Sequence, residues 1–399
     1  MNVLITDGNN RASLAATRSL GRRGYCIVVT GEEKNTLASV SKYCAKSFKV
    51  SNPLVDESLY FQDIENIIHD AAIDVVLPIT EPSMRVLLMN KDSLPRNISL
   101  AAPDWDAMKM VLDKVALMQI AEECRVPTPR FIVIQNRAAY SDRDIQGEEL
   151  PFSFPVVVKP YSSRIPAGRG YIHGGVMYAR NREELDDLYR NKQVLDHPSM
   201  IQEKITGQGT ALFTLFDRDR PLALFCHRRL REKPPSGGVS VVSESIPLDE
   251  EMVEFSLRLL STIGWTGVAM VEFKRDVRDG KPKLMEINGR FWGSLQLAIA
   301  CGVDFPALFM DYVQGRNPGQ IMKDYRIGHK LKWFLGTLDH LLIRLKEDDG
   351  ELQLSPENPS KMQAVLDFMN IWEKDTSFDV ANREDVRPFL WQRWVRSNR

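Results

Sequence analysis

The stretch Leu284-Met285-Glu286-Ile287-Asn288-Gly289-Arg290 constrains this chain more than any other. Glu286, Asn288 and Arg290 alternate with Met285, Ile287 and Gly289. Successive side chains of a strand point to opposite faces. The alternation therefore predicts a strand with one apolar face and one face carrying an acid, an amide and a guanidinium. Acid and amide oxygens suit Mg²⁺ or Mn²⁺, and Mg²⁺ commonly keeps phosphate oxygens and water as further ligands. An adjacent Arg offers phosphoryl oxygens a planar fork of donors. Upstream, Gly267-Val268-Ala269-Met270-Val271-Glu272-Phe273 is another apolar run with one acid inside it. Between the two lies Asp279-Gly280, a hairpin-turn signal. Closing that hairpin brings Glu272 beside Glu286, so that Glu272, Glu286 and Asn288 converge on a cation. The alternative is a half-buried hairpin whose acids face solvent.

Other segments carry matching chemistry. Val156-Val157-Val158-Lys159-Pro160 is a β-branched run ending in a cation. A basic loop follows from Tyr161 to Gly175, with Gly168, Gly170, Gly174 and Gly175. Glycines let backbone N–H groups approach phosphates closely, and Lys159 adds a point charge. This is not the G-x-x-x-x-G-K-[ST] loop, and a flexible surface loop is the alternative. Ser199 to Ile205 is a further short strand, closed by Thr206-Gly207-Gln208-Gly209. From His227 to Ser240, three Arg and a Lys stand beside Gly237-Gly238. Guanidinium groups bind carboxylates through paired hydrogen bonds, and exposed Gly N–H groups cradle anions. Arg229, Arg231, Gly237, Gly238 and Ser240 are therefore substrate-binding candidates, against the alternative of a solvated basic hairpin. His227 reads as structural or as a neighbour of the site. Asp74 to Ile79 reads as a buried parallel strand. Ligands bind beyond strand C-termini in open α/β sheets, which makes Glu81 a substrate candidate, with a helix-capping turn as the alternative.

Taken in order, Asp113-Lys114, Val126-Pro127-Thr128-Pro129, Val158-Lys159-Pro160, Gln202-Glu203-Lys204-Ile205-Thr206-Gly207, Val271-Glu272-Phe273 and Glu286-Ile287-Asn288-Gly289-Arg290 resemble the ATP-grasp superfamily of ligases. The resemblance spans residues 1 to 315 and looks closest to carbamoyl-phosphate-synthetase-like carboxylate–amine ligases, including the pyrrolysine-biosynthesis type. It implies an α/β ATP-grasp fold with an N-terminal Rossmann-like (pre-ATP-grasp) domain. It implies ATP and Mg²⁺ (or Mn²⁺) as cofactors, and small-molecule carboxylate and amine substrates. By the same resemblance Lys114 and Lys159 contact ATP phosphates. Gln202 and Glu203, with the backbone of Lys204 and Ile205, line the adenine pocket. Glu272, Glu286 and Asn288 hold the metal, and Arg290 stabilises the transferring phosphoryl group. No acid stands at Gly207-Gln208-Gly209, where the family often places a ribose contact. The reaction implied is acyl-phosphate ligation releasing ADP and phosphate. Bicarbonate activation or carboxylation, and a non-catalytic nucleotide-binding module, are the alternatives.

The remaining features set bounds. At 399 residues the chain allows two or three domains of ~150 residues each. Lys+Arg of 52 against Asp+Glu of 53 gives no global pull toward nucleic acid. Five cysteines lie scattered without a C-x-x-C, which points to reduced thiols in a cytoplasm and away from zinc. The chain opens on a strand rather than a signal-peptide layout, and no apolar run reaches the ~20 residues of a membrane span. The expected organisation is a Rossmann-like domain at 1–103, an ATP-grasp domain at 104–315 with a mobile subdomain at about 128–205, and a C-terminal extension at 316–399. The Rossmann-like part reads as strand Val3–Thr6, helix Arg11–Arg23 and strand Tyr25–Val29. Asp7-Gly8-Asn9-Asn10 lacks G-x-G-x-x-G, so dinucleotide binding is not expected. The extension holds Trp333, Trp372, Trp391 and Trp394. Its basic, aromatic tail is expected to pack on its own domain or in a homodimer more readily than on an anionic membrane surface.

Overall fold

The computed structural model describes residues 1–142, 150–167, 170–316, 319–348, 352, 360–370 and 373–397. Gly168 and Arg169 of the expected basic loop, and Trp372, lie outside the described residues. The first apolar runs form a parallel sheet of β1 (Asn2–Ile5), β2 (Cys26–Gly31), β3 (Cys44–Lys49), β4 (Val75–Leu77) and β5 (Ser99–Leu100). Its order is β3-β2-β1-β4-β5. Helices cover both faces of such a sheet, which is why Val3, Leu4 and Ile5 are all buried. The first crossover helix, Arg11–Arg22, starts where the Asn10 side chain accepts the Ala12 N–H. The observed elements fall within two residues of the pattern-based boundaries.

A second sheet is antiparallel. Its strands belong to the run β6 (Phe131–Ile134), β7 (Val156–Pro160), β8 (Arg164–Ala167), β9 (Gly170–His173), β10 (Met177–Ala179) and β11 (Ser199–Glu203). The order is β10-β7-β11-β6, while β8 and β9 form a separate hairpin. The sheet has its own core, including Val156, Val158, Leu185 and Ile201. The basic stretch after Lys159 is thus a hairpin rather than an open loop. Tyr171 on β9 donates its hydroxyl to Glu57, and Arg85 reaches both groups. These three side chains fasten the hairpin to the first sheet's layer.

The third sheet has seven strands: β12 (Gly209–Asp217), β13 (Arg220–Lys233), β14 (Val239–Ile246), β15 (Thr266–Arg275), β16 (Pro282–Asn288), β17 (Lys330–Lys332) and β18 (Thr376–Phe378). Their order is β16-β15-β12-β13-β14-β17-β18. Period-two alternation divides its side chains between two cores. Ala211, Phe213, Phe225 and Met270 face the first sheet's layer. Leu212, Phe216, Leu224 and Val271 face the helix Glu250–Ile263.

Two strands of the expected C-terminal extension at 316–399, β17 and β18, complete this sheet. The same stretch is bound to the first helix. Arg18 is buried and donates to the Asp385 carboxylate at 2.9 Å and to the carbonyls of Asp379, Val380 and Asp385. The tail helix Arg387–Ser397 packs on its own domain, with Phe389 against Phe334 and Arg396 on Asp339. Among the described residues no single helix is long and apolar enough to cross a membrane.

Candidate active site

A cleft of about 830 Å³ opens where the three sheets meet. One wall is the apolar-and-acid hairpin. β15 and β16 pair antiparallel with Glu272 opposite Glu286 and Met270 opposite Asn288. Directly opposed residues share a face, so both carboxylates stand side by side on the cleft surface. The Asn288 amide nitrogen lies 3.1 Å from an oxygen of each. Its carbonyl oxygen accepts from Arg290 at 3.1 Å. Arg229, from β13, forms an ion pair with Glu272 and a second with Glu232 at 2.9 Å.

The electrostatics of the pair are asymmetric. Burial pushes the Glu272 carboxyl above its usual range despite the pull of Arg229, and the charge of Glu286 adds to the rise. Burial acts on Glu286 too, but Lys114, the Asn288 amide and Lys159 outweigh it and hold that carboxyl below its usual value. Two desolvated carboxylates at one register level favour a hard cation between them. The donor set fits Mg²⁺ or Mn²⁺ with Glu272, Glu286 and the Asn288 side chain, whose amide must turn to present its oxygen. Among the described residues no three or more His, Cys, Asp or Glu form a metal-binding group, so phosphate oxygens and water would supply the other ligands.

Lys159 leaves β7 to line the same cleft. Burial lowers its ammonium to about 8, with Glu286 opposing and Lys114 and Lys274 adding to the fall. Below that value Lys159 is a cation available to phosphate, and above it the charge is lost. We expect kcat/KM for ATP to fall above about pH 8, with the fall displaced to higher pH in Lys159→Arg. A pH profile that is flat for the wild type from 7 to 9 would rule out this role. Lys114 opens the helix Lys114–Glu123 and influences both Lys159 and Glu286.

Gln202, Glu203, Lys204 and Ile205 line the cleft beside Lys159. The Glu203 carboxylate, however, is taken by structural partners. It accepts from the Arg130 backbone at 2.9 Å and pairs with Arg130 and Arg278 at 3.2 and 3.0 Å. The Glu203 side chain is thereby held in the structure, while Lys204 and Ile205 follow it along the cleft.

The basic segment divides. Arg229, Gly237, Gly238 and Ser240 line the cleft. Gly238 permits a close backbone turn, since a Cβ there would meet the Lys233 carbonyl oxygen at 2.4 Å. Arg231 does not join them. β13 and β14 shift register between Arg229 and Arg231, which turns Arg231 to the other side. There it lines a separate cavity and pairs with Asp367 at 2.5 Å. We expect Arg231→Ala to leave every substrate KM near the wild-type value and to cost about 1 kcal/mol or less, read by steady-state kinetics and denaturant melts. Glu81 is the first residue of the helix Glu81–Met89 and is not among the cleft-lining residues, in keeping with its capping-turn alternative.

The cleft also contains residues that pattern reading passed over: Asn9, Asn10, Arg11, Trp292, Ser294 and Trp333. The first three follow β1, at the sheet edge where open α/β folds bind ligands, and that position was the available signal. His227 lines the cleft, buried, with Nδ1 3.4 Å from Ser294 Oγ. Burial, then the charge of Arg229, holds its imidazole well below the usual range, so it is neutral.

A family model described as ATP-grasp in the biosynthetic pathway with Ter operon matches residues 222–333. A D-aspartate ligase of Enterococcus faecium (strain Aus0004) is 27% identical over 199 residues, covering 47% of this chain and 46% of that enzyme. The chain thus matches less than half the length of that curated relative. Among solved structures, a biotin carboxylase–β,γ-ATP complex of Campylobacter jejuni superposes with a TM-score of 0.64 at 17% identity, over 82% of this chain and 74% of that one. An L-amino acid ligase of Bacillus licheniformis gives a TM-score of 0.60 at 19% identity, over 82% and 78%. These structural likenesses show a shared fold.

Proposed function

We propose, from the ATP-grasp fold that this chain carries, that it is an ATP- and Mg²⁺-dependent ligase. It joins a carboxylate to an amine through an acyl phosphate, with amino acids or similar small metabolites as substrates. The observation that carries this reading is the opposition of Glu272 and Glu286, with Asn288 and Arg290 beside them, in a cleft shared with Lys159. Phosphoryl transfer needs little covalent help from protein and much positioned positive charge. When bound, Mg²⁺ would neutralise phosphate charge between Glu272, Glu286 and Asn288. Lys159 and Lys114 hold the nucleotide phosphates, and the hinge backbone at Lys204 and Ile205 holds the base. Arg290 balances charge on the transferred phosphoryl group. The hairpin β8–β9 covers the nucleotide and keeps water from the acyl phosphate. The amine lone pair then forms the C–N bond, the C–O bond to phosphate breaks, and phosphate leaves with that electron pair. The named relatives, a D-aspartate ligase and an L-amino acid ligase, support amino-acid substrates.

The test is ADP and phosphate release against a panel of amino acids, other carboxylates and bicarbonate, with hydroxylamine as a general acceptor. Hydroxamate formed from an amino acid supports the ligase reading. ADP release with bicarbonate alone, and no hydroxamate, would replace it with a carboxylation reading.

A further inference from the structure

We propose that Arg11 binds a spectator carboxylate of the substrate, such as the α-carboxylate of an amino acid whose other group reacts. This rests on the ligase reading and adds the chemical class that the cleft selects beside Arg11. The nucleotide end is lined by Lys159, Lys204 and Lys274, and the acids Glu272 and Glu286 lie next to it. Elsewhere in the same cleft Arg11 stands against Ser240, Gly293 and Trp333, and the Lys233 ammonium lies 5.6 Å from the centroid of that Trp333 ring; Asn9, Asn10, Ser294 and Gln392 add neutral polar groups to the lining.

Arg11 is built as a fixed fork. Its side chain is 12% exposed and one terminal nitrogen pairs with Asp379. The other donates to the Ser240 carbonyl at 3.3 Å. The guanidinium carbon lies 4.2 Å from the centroid of the Trp333 ring, which holds the plane in place. Of the five N–H donors of a guanidinium, two are committed among the described residues. The remaining donors are preorganised for an acceptor with two oxygens.

Two further features favour an anion there. Arg11 is the first residue of a twelve-residue helix, which places it at the positive end of the helix dipole. Gly293, three residues after Arg290, lies against the guanidinium, and a Cβ there would come within 2.8 Å of its nitrogen. A side chain at 293 would crowd the fork. Two buried ring nitrogens on this wall, of His227 and Trp292, also have no partner among the described residues. Asp379, behind Arg11, is 2% exposed and serves as the anchor that fixes the fork.

The experiment compares free amino acids with their α-carboxamides, by calorimetry on the full chain without turnover and then by ADP release. The wild type is expected to bind the free acid about 30-fold more tightly than the carboxamide, the range of one charge-assisted contact pair. Arg11→Gln should erase that preference and leave ATP affinity unchanged. Because Arg11→Gln strands a buried carboxylate, the double variant Arg11→Gln/Asp379→Asn is measured beside it and should show the same loss. A preference that survives in the double variant overturns the proposal. So does a wild type that binds acid and carboxamide equally, or a variant that loses both equally. Failure of the ligase reading would show separately, as absent hydroxamate despite an intact binding preference.

Discussion

Glu286→Gln is expected to lower ATP turnover by ~10² or more while leaving the protein folded, with a modest loss of heat resistance. The substitution nearly keeps the shape of the side chain and removes one charge. In the folded protein that charge stands opposite Glu272 on the neighbouring strand, and both groups are desolvated. Lys114, the Asn288 amide and Lys159 outweigh burial and hold that carboxyl ionised, so neutralising it removes a charge the fold favours. The same charge is what a bound cation would require beside the spreading phosphoryl charge. Activity should therefore fall by far more than stability. Turnover by malachite-green phosphate release and melting by circular dichroism decide the matter on one preparation. Wild-type turnover in a well-folded Glu286→Gln protein would remove the metal assignment.

The second large effect is on stability. Arg18→Met should cost about 3–5 kcal/mol, the usual result of breaking a buried ion pair from one side. Arg18 and Asp385 are 1% and 0% exposed, and the guanidinium also satisfies three carbonyls. Removing the arginine leaves the buried carboxylate without its counter-charge, held only by the Ser41 hydroxyl and the Lys42 N–H among the described residues, and strands those carbonyl oxygens. Arg18→Met with Asp385→Leu should recover part of the loss, because no buried charge is then left alone. Denaturant melts of the wild type, the single variant and the double variant test this. A cost below 1 kcal/mol for Arg18→Met would show that the C-terminal stretch is held by other contacts.

The parts of the site that were legible from sequence are those whose geometry is local. Alternation from Met285 to Arg290 and the Asp279-Gly280 turn were enough to bring Glu272 near Glu286, but their direct opposition depends on a register shift between Glu272 and Phe273 that leaves Met285 unpaired in the ladder and lining the cleft. Arg231 was misplaced because residues two apart on a strand share a face only while the ladder is regular, and a register shift intervenes. Glu203 lines the cleft as expected, but the partners of its carboxylate, Arg130 and Arg278, stand 73 and 75 residues away and had no local signal. β17 and β18 have three residues each, too few to show a period. Their place in the sheet follows from pairings that no local pattern announces. Arg11 was hidden for a related reason. The turn after β1 was read for glycines, while its cation, amides and helix start were the informative groups.

The bond between Arg18 and Asp385 joins residues 367 apart in the chain. Synthesis proceeds at about 5–20 residues per second, so roughly 20–70 s separate the emergence of the first helix from that of its anchor. During that interval the first sheet and its neighbours can fold, but the far wall of the cleft lacks Asp379, Trp333 and β18. A chain interrupted late in translation would hold the Glu272–Glu286 pair and the lysines without the fork at Arg11 set in place. The nucleotide end of the cleft would then be complete before the Arg11 site, which waits for Trp333 and Asp379.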